Sequence, residues 1–218
     1  MGDWFIATEG VKIVKDSPGL WPQIITAVST IIAAVGTVNL NHRLTLKREQ
    51  AAAERKLAGE RYFIATELVF KLEDYAEMCA EVSQDDGSRD EGDEYRPTVS
   101  VYSLEFDDVT GDWRALPPPI MYRVREMIVL QAEARGSINF HYDVDTSSRH
   151  DTFYRERKYQ YSRLGLRALL LAKRLRKLTG MPSSRLDKYR WSAQQTLWQG
   201  WREGRKYRLE QRLDLDEE

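Results

Sequence analysis

The sequence predicts an all-α protein: an N-terminal transmembrane helix followed by an antiparallel cytoplasmic helical bundle with a long first helix. Three observations carry that expectation. Between Asp16 and Arg43 the chain has no formal charge. From Lys47 to Val82 it contains no proline and keeps apolar residues at helical spacing. Further segments with the same spacing follow, divided by glycine and proline. The expected partition is a short external tail at 1–18, the membrane helix at 19–41, a helical stalk at 42–56, the bundle at 57–213 with an acidic loop at 84–98, and an acidic tail at 214–218.

The stretch Leu20–Leu40 (LWPQIITAVSTIIAAVGTVNL) comes first. About 20 mainly apolar residues rise roughly 30 Å as a helix, enough to cross the hydrocarbon core. A helix also satisfies its own backbone hydrogen bonds there. Gln23, Thr26, Ser29, Thr30, Thr37 and Asn39 dilute the run, which leaves a buried soluble helix as the competing reading. The acidic start MGDWFIATEG lacks the positive region of a cleaved signal peptide. Lys12 and Lys15 precede the run, whereas Arg43, Lys47, Arg48, Arg55, Lys56 and Arg61 follow it. That asymmetry places the C-terminal side in the cytoplasm. Ser29, Ala33 and Thr37 recur every four residues, a spacing of small side chains that suits self-association of the helix.

After the span, KREQAAAERKLAGERYFIATELVFKLEDYAEMCAEV favours helix by composition and aligns Leu57, Ile64, Leu68, Tyr75, Cys79 and Val82 on one stripe. Cys79, the single cysteine, excludes an internal disulfide and reads as a small core residue in a reducing compartment. SQDDGSRDEGDEYRP ends the helix. It resembles a calcium loop in composition only, because the required glycine and glutamate spacing is missing, so a solvated loop is expected. TVSVYSLEF alternates enough for a short strand or an extended stretch packing Tyr102, Leu104 and Phe106; without a partner strand no true sheet is expected.

The prolines of ALPPPI then set an extended entry into a second helix, with Ile120, Val124, Met127, Ile128, Gln131 and Ile138 at helical spacing. A turn at DVDTSS leads to a third helix over 151–179. Its stripe is Tyr154, Tyr161, Leu164, Ala168, Leu171, Leu175 and Leu178, and Gly180 and Pro182 end it. Ser183 or Ser184 suits the cap of a fourth helix running from Arg185 toward Leu213.

The net charge of −1 hides an internal asymmetry. From Glu60 to Leu116 acids outnumber bases 16 to 5, and from Arg149 to Arg212 bases outnumber acids 18 to 5. Three places carry residue types suited to chemistry. His141, Asp143, Asp145, His150 and Asp151 suit a divalent metal by type, but a helix end and turn does not aim them at one point, so no metal or cofactor is expected. Tyr154, Tyr159 and Tyr161 among Arg155, Arg157, Lys158 and Arg163 suit phosphate or base contacts, yet aromatic residues at helical spacing more often face a core.

The third place is the last helix, where Trp191, Trp198 and Trp201 are interleaved with bases that include Arg202, Arg205 and Lys206. Closing the bundle, lying among lipid headgroups, binding a protein partner and binding nucleic acid compete for this face. The acidic first helix offers the bases an intramolecular partner, so closure is expected. Nucleic acid is disfavoured, because no recognition motif accompanies the charge. No nucleophile–base pair or metal set points to an enzyme. The expected function is therefore a non-enzymatic interaction or scaffolding module at the inner face of the membrane, with a protein partner or a second copy as its target. An oligomerising membrane effector or channel component is the alternative.

Overall fold

The computed structural model describes the backbone of residues 20–92, 94–186, 189 and 192–216, and the side chains from residue 42 onward apart from 212 and 214–216. The chain is mostly helical with little strand. Its helices are α1 (Leu20–Gln84), α2 (Pro118–Val144), α3 (Asp151–Thr179) and α4 (Ala193–Asp216). It divides into two units, residues 1–54 and 55–218. In the first, the described side chains from His42 to Gln50 are exposed, as their polar composition dictates. Among the described residues no helix is long and apolar enough to cross a membrane. The expected span at 19–41, with its Ser29, Ala33 and Thr37 face, has side chains outside the described residues, as has Trp191.

The second unit is built around α3. Its stripe of Leu164, Ala168, Leu171 and Leu175 is buried, and Ile64, Leu68, Tyr75, Cys79 and Val82 of α1 meet the same core. Leu57, expected on that stripe, is 41% exposed because the core begins about two turns further on, at Ile64. In α2, Val124, Met127, Gln131 and Ile138 are buried while Ile128 faces outward.

Paired residues give the helix directions. Asp85, just beyond α1, and Cys79 and Glu73 within it meet Arg157, Gly165 and Arg176 of α3, so these two helices are antiparallel. Ser137 of α2 meets Glu156, and Leu197, Gly200 and Gly204 of α4 meet Gly165, Ser162 and Tyr159. Thus α1, α2 and α4 all run against α3.

A parallel α1 and α2 require the chain to return along α1 before α2 begins, and the 33 residues from Asp85 to Pro117 do so. Thr98 bonds Asp85, the Tyr102 hydroxyl donates to Asp74 at 2.6 Å, Asp108 pairs with Lys71 at 2.7 Å, and the Ala115 carbonyl accepts from Arg61 at 2.8 Å. Leu104 and Phe106 pack into the core, the Leu104 amide donating to Gln131 Oε1 at 2.7 Å. This segment takes the extended form, not the strand.

Two expectations are corrected here. The acidic loop is not merely solvated: Ser88–Arg89 (β1) pairs antiparallel with Tyr95–Arg96 (β2), Ser88 opposite Arg96. Gly87 turns into the hairpin with φ of 73°, where a Cβ would strike the Tyr154 ring. The fourth helix starts at Ala193 rather than Arg185. Ser184 Oγ accepts from the Leu186 amide in a local turn, and it is the Ser192 carbonyl that accepts from Gln195 and Thr196 to open the helix.

Candidate functional site: the outer face of the fourth helix

Small residues decide which side of α4 faces the bundle. Leu197 is fully buried, and Gly200 and Gly204, one turn apart, let the α4 backbone approach Ser162 and Tyr159. Arg208 completes the contact by pairing with the buried Glu156, which also accepts from Ser137 at 2.5 Å and Gln160 at 2.7 Å. Burial alone would raise the Glu156 pKa, but these donors outweigh it and hold the carboxyl below its usual range. Closure of the bundle thus rests on Leu197 and two glycines, with Trp201 packed against the core beside them.

Trp198 is 37% exposed, and Trp201, partly buried, packs against the core. The two rings meet edge to face with centroids 5.2 Å apart. Arg202 lies over Trp198 at 5.7 Å and Arg205 over Trp201 at 4.9 Å, within cation–π range. Lys206 is exposed and sits 3.7 Å from Glu210. The result is a surface of aromatic planes with charged edges, pre-ordered by its own ring contacts.

Most of the other sequence candidates have structural partners, whereas Asp143 is exposed. Asp145 caps α3, accepting from the Thr152 amide at 2.8 Å, the Phe153 amide at 3.2 Å and the Ser147 hydroxyl at 2.6 Å. Burial would raise its pKa, and the Ser147 and Thr152 donors hold it well below the ordinary value instead. His141 Nδ1 lies 2.8 Å from the Ser137 carbonyl, and His150 stacks on Tyr142 at 4.9 Å. Tyr154 packs edge-on to Tyr95 at 6.3 Å, Tyr159 lies beneath Arg208 at 4.1 Å, and Tyr161 packs against the core.

One residue that the sequence did not single out organises the acidic segment. Asp85, with no exposed side-chain surface, accepts from Thr98 Oγ1 at 2.6 Å, the Gly87 amide at 2.9 Å, the Val99 amide at 3.0 Å and Arg157 at 2.7 Å. Arg157 in turn donates to the Val99 carbonyl at 2.9 Å. Burial works to raise the Asp85 pKa, yet the donors from Thr98, Val99, Gly87 and Arg157 hold it far below the carboxylate range. Lys158 pairs beside it with Asp86. The charge asymmetry seen in the sequence is thus partly spent within the bundle, at Asp85–Arg157 and Glu73–Arg176, and at its surface, at Asp86–Lys158.

No family model, no curated protein and no solved structure matches this chain.

Proposed function

We propose that this is a single-pass membrane protein whose helical bundle lies on the cytoplasmic side and serves as a non-enzymatic interaction module. The face of Trp198, Trp201, Arg202 and Arg205 is its contact surface for a protein partner. The uncharged run Leu20–Leu40 supports the anchor, and the excess of Arg and Lys after it supports the orientation. The polar residues 42–56 suit a helical stalk.

The single observation that carries the contact surface is that Trp198 is 37% exposed beside a partly buried Trp201, each ring with an arginine over it. Tryptophan and arginine are the residue types most enriched among energetic anchors of protein interfaces, because they bury large area with few rotatable bonds and bring their own donors.

The test uses the full chain in the membranes of cells that express it, with a photo-crosslinking residue at position 198 or 202. Both positions should give a discrete protein adduct, whereas position 133, exposed on α2, should give none. Trp198→Ala should weaken partner binding while moving the melting temperature by only a few degrees. Adducts with lipid alone would move the patch to the bilayer surface. Silence at 198 and 202, together with a collapse in melting for Trp198→Ala, would return the tryptophans to a packing role and sink the proposal.

A further inference from the structure

Most arginines of the bundle are spoken for. Arg157 and Arg208 meet buried carboxylates, Arg176 meets the partly buried Glu73, and Arg125 and Arg155 lie over aromatic rings at 4.1 and 3.8 Å. Among those with no carboxylate or ring partner in the described residues, Arg123 of α2 and Arg167 and Arg174 of α3 line one groove of about 430 Å³. The antiparallel pairing of α2 with α3 brings Arg123 to the same groove as Arg174. Arg167 and Arg174 are two turns apart on one face of α3.

The floor between these charges is apolar. Leu130 and Leu171 are buried beneath it, and Leu170, flanked by Arg167 and Arg174, is 54% exposed. Glu126 is the one acid in the lining, and its carboxylate takes the Tyr122 hydroxyl at 3.4 Å. Three guanidinium groups against the single Glu126 carboxylate leave the groove with a net positive charge, which an anion with several acceptor oxygens complements. A bare anion would leave the leucine floor wet. A ligand with an anionic head and an apolar tail uses both parts.

We propose that the α2–α3 groove binds a phosphate-headed amphiphile, the phosphate held by Arg123, Arg167 and Arg174 and the tail laid along Leu130, Leu170 and Leu171. Basic pockets between helices that hold phospholipid headgroups have the same make-up. The site is separate from the α4 face and does not depend on the reading of that face or of the anchor.

The experiment titrates the full chain, held in a non-ionic detergent, with dihexanoyl phosphatidic acid, dihexanoyl phosphatidylcholine or inorganic phosphate, each corrected by a protein-free titration in a calorimeter. Saturable one-to-one binding is expected for the phosphatidic acid, falling as salt rises. Phosphatidylcholine, whose head has no net charge, should bind at least tenfold more weakly. Inorganic phosphate should also be at least tenfold weaker. Arg167→Gln combined with Arg174→Gln should abolish the tight binding without changing the melting temperature, because both side chains are exposed. Leu170→Asn should weaken phosphatidic acid and leave inorganic phosphate unchanged. Arg202→Gln, which removes an equal charge on α4, should change neither. Phosphate binding as tightly as the lipid would remove the tail from the account and overturn the amphiphile. Equal losses for Arg202→Gln and the double variant would reduce the effect to overall charge and overturn the site.

Discussion

Gly165→Ala should destabilise the 55–218 unit and Gly136→Ala should stabilise it, although both place alanine in a helix interior. Alanine gains about 1 kcal/mol over glycine in helix propensity at either site. At Gly136 that gain is unopposed, since a new Cβ meets nothing within 4 Å. At Gly165 the Cβ would lie 2.8 Å from Cys79 Cβ and 2.7 Å from Leu197 Cδ2. Leu197 can turn its side chain, but the Cys79 Cβ is fixed to the α1 backbone, so α1 and α3 must separate where the core is densest. Overpacking of this kind costs about 1–3 kcal/mol, and more when backbone must move. Gly165→Leu should prevent closure altogether. Denaturant unfolding of the three variants checks this; equal midpoints for Gly136→Ala and Gly165→Ala would mean that the three helices do not converge at Gly165.

Arg157→Ala should be comparably severe, for an electrostatic reason. It strips the guanidinium from Asp85, whose side chain has no exposed surface, and frees the Val99 carbonyl. Removing one member of a buried ion pair costs about 3–5 kcal/mol. The loss should appear as exposure of the 85–99 segment to protease. The pH dependence follows from the lowered Asp85 pKa. A carboxyl whose folded value is depressed stabilises the fold at pH values above its unfolded value, about 3.9. That contribution is lost as pH falls below it toward the folded value. Asp145 and Glu156 are shifted the same way and add to the acid sensitivity. Asp85→Asn should therefore lower stability at neutral pH and flatten its decline below about pH 4. An unchanged acid slope in that variant would show that Asp85 is not held ionised by the clamp.

The helices were legible because each rests on a local signal. The α3 stripe from Tyr154 to Leu175 repeats at 3.6 residues, Gly180 takes the left-handed cap with φ of 70°, and Pro118 sits in the first turn of α2. What was not legible depends on long-range partners. Asp85 and Asp86 are adjacent identical residues, and only the fold decides that the first is buried against Arg157 while the second pairs with Lys158 near the surface. The return of the chain along α1 is written in contacts 28 to 54 residues apart, such as Tyr102 with Asp74 and Arg61 with Ala115, which no window of sequence contains.

The orientation of α4 was half legible. Gly200 and Gly204 carry the close-approach spacing openly, but the tryptophans are the stronger hydrophobic signal, and of these Trp201 packs on the core while Trp198 is exposed. The arginine groove was invisible for a related reason: three arginines among 33 lysines and arginines stand out only once the fold brings α2 and α3 together.

The account as a whole requires that residues 20–40 anchor a bundle that folds by itself. Alkaline carbonate extraction of membranes from cells expressing the full chain tests this most directly, compared with a chain that starts at Lys47. The full chain should stay with the membrane pellet, and the shortened chain should be found folded in the soluble fraction. Full-length protein recovered in the soluble fraction without detergent would contradict the anchor.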